Sequence, residues 1–204
     1  AAQRVDALRA AGKKLAILTN AASVPLVGLV DKYASLGLQF TRNEIVSSRE
    51  VLANALQKMS RDITWGIAAP AASNIAELPG KAHRLQDTEA SFTECDGFIL
   101  LSNQDWNAKL QTRLKRAVAK HPRPVLVGNP DVVAPREYGF SLEPGAHAHD
   151  LADSLNITPA FYGKPFTNAF EEVEVRLGKI IAPNRIAMIG DSLHTDILGG
   201  AAAG

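Results

Sequence analysis

The sequence holds a single cysteine, Cys95, among its 204 residues. One thiol excludes an internal disulfide framework and fits a reducing compartment, so the expected location is cytoplasmic. Cys95 stands between Glu94 and Asp96, whose charges disfavour a thiolate and with it a nucleophilic role. Charge of one sign is lacking as well: 22 Lys and Arg against 21 Asp and Glu leave a net charge of +1. That balance gives neither a nucleic acid nor an anionic membrane surface an electrostatic footing. No apolar run approaches the ~18 residues of a membrane span, and no signal peptide is recognisable.

Several chemical signatures are also missing. No G-x-G-x-x-G follows an apolar run, and no G-x-S-x-G elbow occurs. Gly163-Lys164 continues into Pro165 rather than Ser or Thr and has no glycine five residues upstream, so it is not a P-loop. The five histidines show no H-E-x-x-H spacing, and Trp65 and Trp106 read as packing residues.

What is present is an alternation of short apolar runs and helical patterns. Leu15–Leu18 is an expected strand ending in Thr19-Asn20, followed by a helix from about Pro25 to Leu36 and a short strand at Glu44–Val46. Ser47 and Glu50 have capping-box spacing ahead of a helix reaching about Met59. A second unit begins near Arg61, with strands at Thr64–Ala68, Gly97–Leu101 and Val125–Val127. Its expected helices cover Ala71–Leu78, Trp106–Lys120 and Ala146–Leu155, with an irregular stretch before Gly145. The first style then returns: a strand at Ala160–Tyr162, a helix over Thr167–Leu177 with Thr167 as its N-cap, and an apolar run Ile186–Ile189 stopping at Gly190-Asp191. Unalternated apolar runs are the mark of strands buried on both faces of a parallel sheet. The expected fold class is therefore α/β, with a Rossmann-like parallel-sheet core and an inserted α/β unit. The expected division is 1–60 core, 61–157 insert and 158–204 core.

Three expected strand ends carry polar groups: Thr19-Asn20, Lys164 and Asp191. Ligands of open α/β sheets bind outside the carboxyl ends of the strands. If the three strands neighbour one another, a hydroxyl, an amide, a lysine and a carboxylate converge on one edge. That set suits phosphoryl transfer, which depends on positioning and on neutralising oxygen charge. Asp191 is a candidate ligand for a hard cation such as Mg²⁺. Asp196 lies five residues further on, near an expected helix start. Each residue also has a plainer reading, as a turn, a cap or a solvated lysine.

Taken together, Leu15–Asn20, Gly163-Lys164-Pro165 and Gly190-Asp191-Ser192-Leu193-His194-Thr195-Asp196 resemble the second, third and fourth motifs of the haloacid dehalogenase superfamily. The chain looks most like its subfamily of 4-nitrophenyl, nucleotide and sugar-phosphate phosphatases with a large α/β cap. Asn129-Pro130-Asp131, with Pro144-Gly145 downstream, is similar to a stretch of that cap. The resemblance implies a Mg²⁺-dependent phosphatase acting on a small phosphorylated metabolite through an aspartyl-phosphate. It implies phosphate binding by Thr19, Asn20 and Lys164, a catalytic part for Lys164, Thr19 and Asp196, and Asp191 as metal ligand. It assigns substrate choice to the cap, the insert at 61–157, and implies a homodimer formed through it. Asp196 would orient Lys164 or a metal-bound water rather than bind the metal.

One departure stands out: the family's first motif, D-x-D-G, with the nucleophilic and acid/base aspartates, does not occur in these residues. The expectation is that these residues alone are inactive and belong to a longer protein. Ala21 is a smaller departure, where relatives often carry a second Asn. The alternatives are an inactive relative that keeps the phosphate cradle as a binding or regulatory module, and an unrelated Rossmann-like nucleotide binder.

Overall fold

The computed structural model describes residues 1–178 and 181–204. Its first segment contains α1 (Ala2–Ala10), β1 (Ile17–Thr19), α2 (Leu26–Ser35), β2 (Ile45–Ser47) and α3 (Ser48–Leu56). Strands β1 and β2 run parallel, with Ile17 opposite Ile45 and Thr19 opposite Ser47. Helix α3 starts where β2 stops because Ser47 and Glu50 form the expected capping box. The Ser47 hydroxyl accepts from the Glu50 N–H at 3.2 Å, and the Ser47 N–H donates back to the Glu50 carboxylate at 3.4 Å.

The middle of the chain supplies β3 (Thr64–Ala68), β4 (Lys81–Arg84), α4 (Glu89–Thr93), β5 (Gly97–Leu100), α5 (Ala108–Lys120) and β6 (Val125–Val127). A hairpin of β7 (Val133–Arg136) and β8 (Gly139–Leu142) leads into α6 (Pro144–Leu155) and then β9 (Ala160–Phe161). Five strands form one all-parallel sheet in the order β4-β3-β5-β6-β9. The predicted α/β class is thus the observed one.

Successive side chains of a strand point to opposite faces, and both faces of this sheet are buried. Phe98, Leu100, Val125 and Val127 pack with Leu110, Leu114, Val118 and Leu151 of α5 and α6. Ile67, Ile99, Leu101 and Leu126 pack with Ala22 and with Leu52 and Leu56 of α3. The first segment and the middle sheet therefore share an apolar cluster. Leu52 and Leu56, both buried, stabilise this seam by roughly 1.5–3 kcal/mol each on the usual scale for burying a leucine.

The tail consists of α7 (Thr167–Arg176), a π-helical turn at Leu193–Ile197 and α8 (Leu198–Ala203). Several sequence expectations change here. Ala160–Phe161 joins the middle sheet beside Leu126–Val127 instead of a sheet shared with β1. Ile186–Gly190 is not a strand. A strand requires a hydrogen-bonding neighbour, none lies beside this run among the described residues, and Ile189 is left 86% exposed. Thr167 is the first residue of α7, and Phe166 takes the cap position without a side-chain bond. The expected helix at Ala71–Leu78 reduces to a 3-10 turn at Ile75–Glu77. Strand β4, helix α4 and the β7–β8 hairpin appear where no regular element was expected. Lys179 and Ile180 of the last expected segment lie outside the described residues. No helix among those described is long and apolar enough to cross a membrane.

Candidate active site

Three turns meet where β1 ends. The first is Thr19-Asn20, where Thr19 ends the β1 ladder and Asn20 follows it. The Thr19 hydroxyl accepts from the Ala21 N–H at 3.2 Å, which leaves its own O–H free to point elsewhere. The Asn20 side chain is 7% exposed and fully engaged. Its Oδ1 accepts from the Lys164 N–H at 2.8 Å, and its Nδ2 donates to the Lys164 carbonyl at 2.9 Å and to Asp131 Oδ1 at 2.8 Å.

The second turn, Gly163-Lys164-Pro165, follows β9, and its Lys164–Pro165 peptide is cis. Gly163 has φ of +127°, and a Cβ there would lie 2.6 Å from Asn20 Oδ1 and 2.8 Å from Ser48 Cβ, so only glycine fits. Asn168 of α7 clasps the turn: its Oδ1 accepts from the Gly163 N–H at 3.0 Å and its Nδ2 donates to the Phe161 carbonyl at 2.8 Å.

The third turn carries Gly190 to Asp196. Asp196 is buried at the π-helical turn, accepts from the Ser192 N–H at 3.2 Å and forms an ion pair with the Lys164 ammonium. A Cβ on Gly190 would come within 2.2 Å of the Asp196 carboxyl carbon, so the loop lies directly against that group. Asp191 follows and is exposed.

The structure thus joins Asn20, Lys164 and Asp196 in one bonded network, with Thr19 and Asp191 adjacent to members of it. The convergence does not come from neighbouring strands of one sheet, since β1 and β9 belong to different sheets. It comes from Asn20 reaching across to the Lys164 peptide. Both Asn20 N–H groups and its oxygen are taken, so its side chain acts here as a clamp.

Asp131 is the residue that sequence reasoning missed at this site. Asn129-Pro130-Asp131 stands out in the sequence as a turn, but nothing local to it reveals a partner 111 residues away. Burial pushes the Asp131 carboxyl above its ordinary pKa. The Asn20 hydrogen bond and the Lys164 charge pull it back, and Glu143 and Asp196 add repulsion.

Lys164 is shared by Asp196 and the nearby Asp131, and Asp191 adds a further carboxylate. The exposed Asp191 carboxylate is a donor of the type that a hard divalent cation accepts. Such an ion takes one or two carboxylates and fills its remaining positions with water and phosphate oxygens. Among the described residues no three His, Cys, Asp or Glu side chains are grouped to enclose a metal by themselves.

A haloacid dehalogenase-like hydrolase family model matches residues 1–77, and a second, HAD-hydrolase-like model matches residues 161–204. An acid sugar phosphatase of Staphylococcus epidermidis is 39% identical over 72 residues, 35% of this chain and 27% of that protein. The Staphylococcus aureus acid sugar phosphatase is 36% identical over the same length, again 27% of the relative. Among solved structures, a possible sugar phosphatase of the HAD superfamily from Cytophaga hutchinsonii superposes with a TM-score of 0.85. It is 26% identical and is matched over 100% of this chain and 74% of its own. A p-nitrophenyl phosphatase from Archaeoglobus fulgidus gives a TM-score of 0.82 at 22% identity, over 99% of this chain and 75% of its own, a likeness of fold.

Proposed function

The chain belongs to the haloacid dehalogenase-like hydrolases, and from that premise we propose that it forms the phosphate-binding part of a phosphatase for small phosphomonoesters, phosphorylated sugars foremost. The observation that carries this reading is the placement of Lys164. Its backbone is clamped by Asn20, the residue after Thr19, and its ammonium is held by buried Asp196, on the turn that also carries the exposed Asp191. The sugar-phosphatase relatives support the choice of substrate class.

In this reading Lys164 neutralises phosphate oxygens as a point charge, and the Thr19 hydroxyl donates to one of them. Asp196 keeps the ammonium directed at the phosphate. Asp191 would hold Mg²⁺, which when bound supplies charge neutralisation on the transferring phosphoryl group. The chemistry is displacement at phosphorus by a carboxylate: an O–P bond forms, the bond to the substrate alcohol breaks, and water then hydrolyses the aspartyl-phosphate. The attacking aspartate and its acid/base partner are ones that these 204 residues do not provide, since no D-x-D-G occurs in them. Residues 61–157 act as the cap that excludes water and selects the leaving group. Pairing of two copies through that unit belongs to the same reading, supported by exposed Tyr138, Phe140 and Leu142 on its hairpin.

The test is phosphate release by the complete protein from a panel of phosphomonoesters, with and without Mg²⁺, beside Asp191→Asn. Metal-dependent turnover that Asp191→Asn loses is the expected result. Silence across the panel with a first-motif aspartate present overturns the enzyme reading in favour of a binding module.

A further inference from the structure

The Asn20 amide is the only direct hydrogen-bonded link between the β1 end and the Lys164 peptide among the described residues. Its orientation is set by three groups at once. The Lys164 N–H requires the amide oxygen, and the Lys164 carbonyl and the Asp131 carboxylate each require one of its N–H donors. Two of these groups lie on one peptide. Asp131 is the third, and it comes from the middle unit.

Asp131 is itself held through both of its backbone groups. Its N–H donates to Asn129 Oδ1 at 3.1 Å, and its carbonyl accepts from the Gly145 N–H at 2.9 Å. Gly145 packs so tightly here that a Cβ would lie 2.1 Å from the Pro130 carbonyl oxygen. Beneath the turn, Glu143 is buried and bonded to Arg136 and Ser141 at 2.6 Å each. A half-buried carboxylate with one oxygen turned onto a buried amide is not an ordinary turn residue.

We propose that Asp131 is a positioning residue for the phosphate site: its carboxylate fixes the Asn20 amide, and the amide fixes where Lys164 presents its ammonium. Asp131 does not touch the phosphate. It couples the seating of the middle unit to the placement of the lysine, so the site is in order only when the Asn129–Asp131 turn lies against β1. The proposal rests on the phosphatase reading for its catalytic consequence, whereas the coupling itself can be read without turnover.

The experiment compares complete wild-type protein with Asp131→Ala, Asp131→Asn and Asn20→Ala. Three readouts are used: kcat and KM on a turned-over phosphomonoester, inhibition by inorganic phosphate, and the NMR signal and solvent exchange of the Asn20 side-chain amide. Misplacing the lysine by about an ångström is expected to lower kcat/KM about 10- to 100-fold in Asp131→Ala and to weaken phosphate inhibition in step. Asp131→Asn keeps an oxygen acceptor for Asn20 and is expected to recover most of that loss. The Asp131→Ala/Asn20→Ala double variant is expected to be little worse than either single one, since both break one linkage. Exchange of the Asn20 amide should accelerate in Asp131→Ala and stay slow in Asp131→Asn. Unchanged kcat/KM and phosphate inhibition in Asp131→Ala would overturn the proposal, as would losses that add fully in the double variant. If wild type turns over no phosphomonoester, the phosphatase reading fails instead, and amide exchange that is the same in wild type and Asp131→Ala then overturns the coupling.

Discussion

Lys164 and Asp196 form an ion pair whose side chains are only 13% and 5% exposed. Two charges taken out of water this far depend on each other, because removing one leaves the other desolvated without compensation. Asp196→Ala is therefore expected to destabilise the fold by about 3–5 kcal/mol, and Lys164→Met combined with Asp196→Leu by much less. Chemical denaturation of the variants decides it. A single Asp196→Ala variant within about 0.5 kcal/mol of wild type, the range of ordinary surface substitutions, would show that the pair is solvated. Activity should separate from stability here: the paired apolar replacement is expected to restore the fold but to leave no ammonium for the proposed phosphate contact.

The Asp131 carboxyl titrates in the opposite sense to a salt-bridged carboxylate. Burial is the largest influence on it and raises its pKa, so the folded chain holds this proton more tightly than the unfolded chain. That contribution is fully present below the unfolded pKa and is lost as pH rises through the folded one. Asn cannot lose a proton at this position. The stability of Asp131→Asn relative to wild type should therefore improve as pH is raised from about 3 to about 7. Denaturation midpoints across that range test it. A difference that stays flat with pH would mean that Asp131 titrates as an ordinary exposed carboxylate.

Gly145 packs against the carbonyls of Pro130 and Asp131, at 2.1 and 2.6 Å from the position a Cβ would take. These neighbours are backbone, so the whole Asn129–Asp131 turn must shift to admit a methyl group. Gly145→Ala is expected to cost about 2 kcal/mol or more of stability, in the range of overpacking and strain effects. It should also reduce activity more than a loss of stability alone would, by carrying Asp131 away from Asn20. Thermal melts beside kcat/KM at a temperature well below the transition test both parts. Wild-type activity in a folded Gly145→Ala protein would cut the link between this turn and the lysine.

Local rules made the capping box at Ser47 and Glu50 legible in the sequence, because both partners lie within one turn. The fully apolar runs at Gly97–Leu100 and Val125–Val127 were legible for the same kind of reason: burial on both faces needs no alternation. Strand β4 was not, since Lys81-Ala82-His83-Arg84 is an edge strand paired with β3 alone and its polar side chains give no apolar signal. Ile186–Ile189 misled in the other direction. An apolar run states what a segment can bury, whereas a strand also needs a partner, and none lies beside it among the described residues. At the site, the resemblance of three motifs to the family's pointed to Lys164 and Asp196 without the structure. The Asn20–Asp131 bond spans 111 positions, and no local pattern encodes it.

Ser47 and Ser48 are neighbours of one residue type whose loss should act in opposite directions. Ser47 caps α3 through its hydroxyl, and Ser47→Ala is expected to cost about 1 kcal/mol, the usual worth of an N-cap. Ser48 is 0% exposed at the first helical position, and its hydroxyl has no hydrogen-bond partner among the described residues. A desolvated hydroxyl without a partner is a cost that alanine removes. Ser48→Ala should thus be neutral or stabilising by up to about 1 kcal/mol, with its Cβ still filling the space against Gly163. Denaturation of the two single variants and their double decides the matter. A Ser48→Ala loss comparable to that of Ser47→Ala would mean that this hydroxyl finds a partner in solution, and its position beside Gly163 would make the proposed phosphate site the place to look for it.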